Sequence, residues 1–524
     1  MSGDAPWWRG AVVYHVYPAS FADSDGDGFG DLPGITSRLD HLAGAPGSLG
    51  VDAVWLSPFY RSPMRDFGYD VSDHRAVDPC FGTLADFDAL LAAAHARGLR
   101  VIVDLVPNHT SDQHPWFQDA LHGRDAARRD WYVWADPRPD GSPPNNWLSA
   151  FPRSGGAWTL DPLSGQYYLH SYTAEQPDLN WRNPAVVDAM QRVLRFWLDR
   201  GVDGFRVDAP HRLMKDPSLR DNPPALAGLR LDTIQGSGHG GERLRHIDHP
   251  DVHGIVRRLR ETVDAYPGRV LLGEVGVHDP RRWARYFGER DDELNLAFDF
   301  RVWGCPWSAA CFRDAVAQSE RLVPAWAWPT YALSNHDIPR AATRYGAASV
   351  RLAAVLLLTL RGTAFLYYGE EIGMHDVPVP TARAHDPDGR DPCRTPMQWD
   401  GSPGAGFTRD APWLPVAEPR APNVAAERAD PGSLLHLYRA LIRLRAGSKA
   451  LRAGGYEPLD GGAHVLAFER RAGEERVRAA LNFGNAAASI AAVVPEGAER
   501  LLSTAPGAGR RGWLAPGEGA IYRA

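Results

Sequence analysis

Short runs of β-branched and aromatic residues recur along most of the chain. They are VVYHVYP (12–18), AVWLSP (53–58), RVIVDLV (100–106), GFRVD (204–208), VLLGE (270–274), LNLAFDF (294–300), TYALSNH (330–336) and TAFLYYG (363–369). Continuous apolar strands of this kind belong to a sheet buried on both faces. Helical patterns separate them. Thr83 caps DFDALLAAAHARG, in which Phe87, Leu90, Leu91 and Ala94 share one stripe and Gly98 stops the helix. Val186, Met190, Val193, Leu194 and Trp197 form a second such stripe. Eight strands alternating with helices predict an α/β chain folded as a (β/α)8 barrel.

The barrel is interrupted. Its third strand ends near Val106 and the fourth begins only at Gly204. Residues 108–177 are rich in Trp, Pro, Asp and Gly, with YYLH as a strand, and read as a small inserted domain. The barrel therefore takes 1–107 and 178–446, resuming with a helix at 184–200 and ending with one at 434–446 that carries Leu434, Leu437, Tyr438 and Leu441. Two long Pro/Gly/Asp-rich loops, 209–253 and 370–430, fall on the C-terminal rim, and loops of that length are usually functional. Beyond 447 the pattern changes. HVLAFER (464–470), RVRAALNFG (476–484), ASIAAVV (488–494) and GAIYR (519–523) lie between Gly-rich turns and predict an antiparallel β-sandwich over 447–524.

Composition excludes several classes. The 524 residues are 44% hydrophobic and 23% charged, as in ordinary globular proteins. A net charge of −7 without basic blocks argues against nucleic acid as a partner. The apolar run VRLAAVLLLTLRGTAFLYYG is broken by Arg351 and Arg361, which argues against a membrane span. MSGDAPWWRGAVVYHVYP lacks a charged leader followed by an apolar stretch, so no signal peptide is expected. Cys80, Cys305, Cys311 and Cys393 are scattered without metal-ligand spacing and predict free thiols in a cytoplasmic monomer or small homo-oligomer.

Candidate chemistry sits at strand ends. Asp208, Glu274 and Asp337 each close a predicted strand, where a barrel of this kind keeps its active site. Glycoside hydrolysis needs a carboxylate nucleophile and a carboxylic acid facing one sugar ring, and a third acid can stabilise the charge that develops there. Arg206 lies two residues before Asp208, so both point to one face of a regular strand, where the guanidinium keeps the carboxylate ionised. Separately, DSDGDGFGD (23–31) gathers acids around Gly-rich turns, the oxygen set a hard cation wants. An EF-hand needs Glu at its twelfth position, which here is Gly34.

DLVPNHT (104–110), GFRVD, VLLGE and SNHD (334–337) occur in this order, and with them the chain resembles the α-amylase family of glycoside hydrolases (family 13) over nearly its whole length. QPDLNW (176–181) and RTPMQWD (394–400) are similar to the α-glucosidase and oligo-1,6-glucosidase branch, which acts on short oligosaccharides. The resemblance implies a retaining mechanism, with Asp208 as nucleophile, Glu274 as general acid and then base, and Asp337 binding ring hydroxyls. It implies that His109 and His336 bind the sugar at the cleavage site and that Asp104 supports them from behind. Asp66 and Tyr69, in DFGYDVSD (66–73; DNGYDISD in the family), would hold the non-reducing glucose and close the pocket. Phe67 replaces the usual Asn. Phe151 and Tyr172 would flank the pocket, and Arg394 would pair with Asp66 or the same sugar. The loop at 23–31 resembles the branch's structural cation loop. That implies calcium, with magnesium as the alternative, held by Asp23, Asp25, Asp27, Asp31 and the Phe29 carbonyl. Ala209, next to the nucleophile, resembles relatives that prefer α-1,4 bonds.

The implied function is an exo-acting α-glucosidase on maltose-like oligosaccharides or small α-glucosides. A sugar hydroxyl in place of water would make it a transglucosylase or a sugar isomerase, trehalose synthase-like or sucrose-active. Non-catalytic relatives that serve as binding partners typically lack the acids present here.

Overall fold

The computed structural model describes residues 5–229, 243–386, 388–417, 422–505 and 512–524. Parts of both long rim loops expected from the sequence, 230–242 and 418–421, lie outside the described residues. The eight barrel strands are β1 (Val12–Val16), β2 (Ala53–Leu56), β3 (Arg100–Leu105), β4 (Gly204–Val207), β5 (Val270–Gly273), β6 (Leu296–Ala297), β7 (Thr330–Ala332) and β8 (Thr363–Tyr367). They pair in parallel in the order β6-β5-β4-β3-β2-β1-β8-β7. A parallel bridge from Phe298 to Thr330 joins the two ends, so the sheet closes as a (β/α)8 barrel. β6 is shorter than LNLAFDF predicts, because Asp299 already caps a short helix, Phe300–Trp303.

Period-two alternation explains why the strands read as continuously apolar. Val13, Trp55, Ile102, Leu272, Leu296 and Phe365 point inward and form one buried cluster. Their neighbours Tyr14, Val54, Val103, Leu271 and Leu366 point outward into the larger core. Two residues further along the inward rows the chemistry changes. His15, Asp104 and Arg206 are buried there, and Glu274 stands two residues beyond Leu272. The rule that fills the barrel thus also delivers its polar end.

Helices cover the outer face. α1 (Leu84–Ala96) opens with a reciprocal capping box between Thr83 and Asp86 and buries Phe87, Leu90, Leu91 and Ala94. α2 (Pro184–Asp199), capped by Asn183, buries Val186, Met190, Val193, Leu194 and Trp197. Between β3 and α2 lies a three-stranded antiparallel sheet of Trp134–Ala135, Gln166–Leu169 and Trp158–Asp161, packed on Trp147, Ala157 and Leu169.

At the C-terminus, β9 (Gly455–Asp460), β10 (Val465–Ala472), β11 (Glu475–Asn482), β12 (Glu499–Ser503) and β13 (Gly519–Arg523) form an antiparallel sheet in the order β9-β10-β11-β13-β12. Leu466, Phe468, Leu481 and Ile521 join the barrel core from one face. Val465, Ala467, Ala480 and Ala520 pack on Ile490, Val493 and Leu514 from the other. ASIAAVV is not the expected strand. Only Ala488–Ser489 is extended, pairing with Trp513–Leu514, while Ile490 and Val493 fill the outer face from a turn. β9 escaped the sequence reading because it is an edge strand with mostly exposed side chains and no apolar alternation.

The free-thiol expectation needs correction. Cys305 and Cys311 form a disulfide, with Cα atoms 5.7 Å apart, leaving Cys80 and Cys393 free. The segment between them turns the chain from the Phe300–Trp303 helix into α3 (Ala309–Leu322), which brings the two residues together. Titration with a thiol reagent in denaturant without reductant should find two thiols per chain, not four. Four thiols before reduction would show that the pair is not bonded in the protein.

Candidate active site

Arg206 organises one half of the site. It points inward from β4 and is buried. Its Nη1 donates to Asp104 Oδ1 at 2.6 Å and to Asp208 Oδ1 at 2.8 Å, and its Nη2 donates to Glu274 Oε2. Asp104 also accepts from Trp55 Nε1 at 3.0 Å, which fixes it behind the other two acids. The carboxyls of Asp208 and Glu274 are brought together by their shared bonds to Arg206. Burial pushes Asp208 up to about 6, and Arg206 limits that rise without cancelling it. Glu274 rises to about 8, first through burial and then through the charges of Asp208 and Asp337, against the pull of Arg206. At neutral pH the first carboxyl is mainly ionised and the second mainly protonated.

A second guanidinium organises the other half, and it is not the expected one. Arg390 donates to Asp66 Oδ1 at 2.6 Å through Nη2 and to Asp337 Oδ1 at 2.9 Å through Nη1. Asp386 holds Arg390 from behind, its Oδ1 lying 2.6 Å from Nη2. Arg394, expected to pair with Asp66 or the same sugar, donates to the His336 carbonyl at 2.8 Å and to Asp337 at 3.2 Å rather than to Asp66. The two arginines bracket a short 3-10 turn, Asp391–Arg394, and the turn sends the first toward the pocket and the second beneath it. Burial alone would raise Asp337, but His336, Arg390, Arg394 and Arg206 outweigh it and hold that carboxyl below the usual range.

Together these groups line a pocket of about 320 Å³. Its walls include Asp66, Tyr69, His109, Phe151, Tyr172, Asp208, Ala209, Glu274, His336, Asp337 and Arg390. Tyr69 stacks on His336 at 5.2 Å and 8°. His109 Nε2 lies 3.1 Å from the Tyr69 carbonyl and 3.1 Å from Gln176 Nε2, and Gln176 also donates to Asp66 at 2.9 Å. Burial lowers both histidines, so their rings are neutral hydrogen-bonding groups. Phe151 and Tyr172 come from the inserted segment with ring centroids 5.3 Å apart, and the Arg390 guanidinium sits 4.9 Å over Phe151. Ala209 carries the chain out of β4 in a left-handed conformation (φ 41°, ψ 48°), uncommon outside glycine. Arg390, Gln176, Asp386 and the mouth residues His211, His278 and Phe300 were missed by the sequence reading.

A wider cleft of about 760 Å³ opens between the inserted segment and the chain after β4, lined in part by Arg129, Lys215 and Asp216. Its ions are neutralised by neighbours: Arg129 by Asp161, Lys215 by Asp178, Asp216 by Arg220. Asp208, Glu274 and Asp337 line the smaller pocket.

Asp23, Asp25 and Asp27 gather after β1, each offering an oxygen within 4.8 Å of the others. Asp27 is raised by burial and by the charges of Asp25, Asp23 and Asp31. Such mutual repulsion is what a bound divalent cation relieves. Asp31 is held within the loop. Its Oδ1 accepts from Gly34 N at 2.5 Å, capping the helix Leu32–Ser37, and its Oδ2 accepts from Ser24 N and Oγ. Phe29 donates its N–H to Asp27 Oδ1 at 2.8 Å.

A family model described as the α-amylase catalytic domain matches residues 15–454. A probable α-glucosidase of Rhizobium meliloti is 43% identical over 512 residues, spanning 93% of this chain and 91% of its own. An oligo-1,6-glucosidase of Parageobacillus thermoglucosidasius is 37% identical over 523 residues, spanning 91% and 90%. The crystal structure of the α-glucosyl transfer enzyme XgtA superimposes with a TM-score of 0.90 at 43% identity, covering 99% of this chain and 100% of that one.

The high proton affinity of Glu274 has a consequence for stability. Its folded value of about 8 lies above the usual 4.5, so its contribution is fully present below pH 4.5 and is lost as pH rises through 8. Glutamine has no proton to lose. Glu274→Gln should therefore melt above wild type by a margin that grows from pH 4.5 to 8, read by calorimetry across that range. A margin independent of pH would mean that Glu274 ionises normally.

Proposed function

The chain belongs to the α-amylase family, and within it we propose an exo-acting, retaining α-glucosidase that removes terminal, non-reducing α-linked glucose from short oligosaccharides or small α-glucosides. As a member it is a glycoside hydrolase. The observation that carries the finer reading is that Asp208 and Glu274 both accept from the one buried guanidinium of Arg206, which holds the two carboxyls side by side. Inverting enzymes separate their carboxyls by about 6.5–9.5 Å to admit water, whereas retaining ones keep them about 5–5.5 Å apart. Asp208, mainly ionised, attacks the anomeric carbon. Glu274 gives its proton to the leaving oxygen as that bond breaks, and a glucosyl ester forms on Asp208. Glu274, now ionised, takes a proton from water, which cleaves the ester. Asp337, with His109 and His336, holds the ring hydroxyls.

The Arg390–Asp66 ion pair walls off the inner end of the pocket, which supports attack at a chain end. Ala209, small and on the pocket wall, supports α-1,4 over α-1,6 linkages. Transfer to an acceptor hydroxyl is the second reading, favoured by the aromatic mouth that Phe151 and Phe300 form around the leaving side. No described helix is long and apolar enough to cross a membrane. The cytoplasmic location and the monomer or small homo-oligomer remain parts of the proposal.

Asp23, Asp25 and Asp27 suit a structural divalent cation, calcium first and magnesium as the alternative, with the Phe29 carbonyl as a further ligand. Asp31, whose carboxylate also ties the loop through Ser24 and Gly34, completes the ligand set. The ion would hold the turn after β1, and the reaction uses the acids described above.

Two tests follow. Incubation with maltose, isomaltose, sucrose and trehalose, followed by NMR, should release glucose mainly from maltose, with the α-anomer first. Asp208→Asn and Glu274→Gln should each lose about 10³-fold or more in turnover while folded. An initial β-anomer, or a folded acid variant with near-native turnover, would overturn the assignment. Calcium should raise the melting temperature of the chelator-stripped protein, and Asp27→Asn should remove that response. A melting temperature blind to calcium in both proteins would remove the cation site.

A further inference from the structure

The chain leaving β4 carries a histidine that the mechanism above does not use. His211 follows Asp208 by three residues, in the 3-10 turn Pro210–Arg212, and is buried at the pocket mouth. Its Nδ1 accepts from the main-chain N–H of Gly276 at 3.2 Å. With Nδ1 accepting, the ring proton sits on Nε2. One imidazole therefore holds the chain at Gly276, two residues beyond Glu274 and just after β5. From behind, the His211 carbonyl accepts from Asp248 N at 2.6 Å, so the ring is mounted on a fixed backbone.

Gly276 is the other half of the fit. A Cβ there would lie 2.9 Å from His211 Nε2 and 3.0 Å from Cε1, closer than real contacts allow. The glycine is needed here for close approach. Its side-chain-free Cα lets the imidazole lie against the strand exit and accept from the Gly276 N–H. Burial and the nearby Arg212 also keep the ring neutral, so Nδ1 retains its lone pair.

We propose that His211 is a positioning residue for Glu274: by clamping the main chain at Gly276, two residues beyond Glu274, to the exit of β4, it sets the reach of the general acid relative to Asp208. This rests on the α-glucosidase reading. Displacing an acid by about 1 Å can cost on the order of 10²-fold in rate. The loss falls on substrates whose leaving group needs a proton.

A series of aryl α-glucosides with graded leaving-group acidity tests it. In His211→Ala, kcat/KM should fall about 100-fold for the least acidic phenols and stay within about 3-fold of wild type for the most acidic. Gly276→Ala should reproduce that steepened dependence, because its methyl displaces the ring. His211→Asn should restore the shallow wild-type dependence, since the amide oxygen replaces Nδ1 as acceptor. A uniform loss across the series would assign His211 to binding the leaving group and overturn the positioning role. So would undiminished activity in folded His211→Ala. Turnover of the series by wild type checks the α-glucosidase reading separately.

Discussion

A guanidinium sealed inside a barrel must be met by carboxylates, and much of this structure follows from how Arg206 is met. Removing one partner of a buried ion pair costs about 3–5 kcal/mol, because the other charge is left stranded. Arg206 has Asp104, Asp208 and Glu274 as partners, one from each of three neighbouring barrel segments. The pairing order β5-β4-β3 is therefore written twice, once in the strand ladder and once in side-chain charge. Trp55 and Tyr69 also lie within cation–π range of the guanidinium, so the floor of the pocket is rigid on several sides.

The same crowding sets the proton inventory. Asp66, Asp104, Asp208, Glu274, Asp337 and Asp386 converge on Arg206, Arg390 and Arg394, so carboxyls outnumber guanidiniums two to one. A buried cluster with that imbalance cannot ionise fully. Position decides where the proton stays. Asp337 touches two guanidiniums and His336 and remains ionised, whereas Glu274 touches one that it shares with two other acids. Asp208 and Glu274 share that one guanidinium, and Glu274 keeps its proton through burial and the charges of Asp208 and Asp337.

Much of this could be read from the chain. The strands announce themselves because a barrel strand is buried on both faces, and the acids because each closes such a strand. Asp208, Glu274 and Asp337 accordingly meet in one pocket with Asp66, Tyr69, His109 and His336. What escaped depends on three-dimensional turns. Arg390 and Arg394 are four residues apart, and only the turn between them decides which one faces Asp66. Cys305 and Cys311 look scattered until the chain reverses between them. Asp31 matches its neighbours as an acid, and its position at a helix start also gives it one oxygen on the helix cap and the other on Ser24. β9 lies at an edge, where no burial pattern exists to be seen.

The exit of β4 is where stability gives way to site geometry. Ala209 takes a left-handed conformation that a β-carbon disfavours, costing about 1–3 kcal/mol. A relaxed backbone there would point the following turn elsewhere. The strained turn sends Pro210 and His211 back across the barrel mouth toward the exit of β5, where Gly276 leaves room for the imidazole. Arg206 ties the two strands below the carboxyls, and His211 ties them above. Asp208 and Glu274 are thus held between two cross-links, one ionic and one a neutral hydrogen bond. The upper one adds no charge to a cluster whose proton balance depends on having few cations.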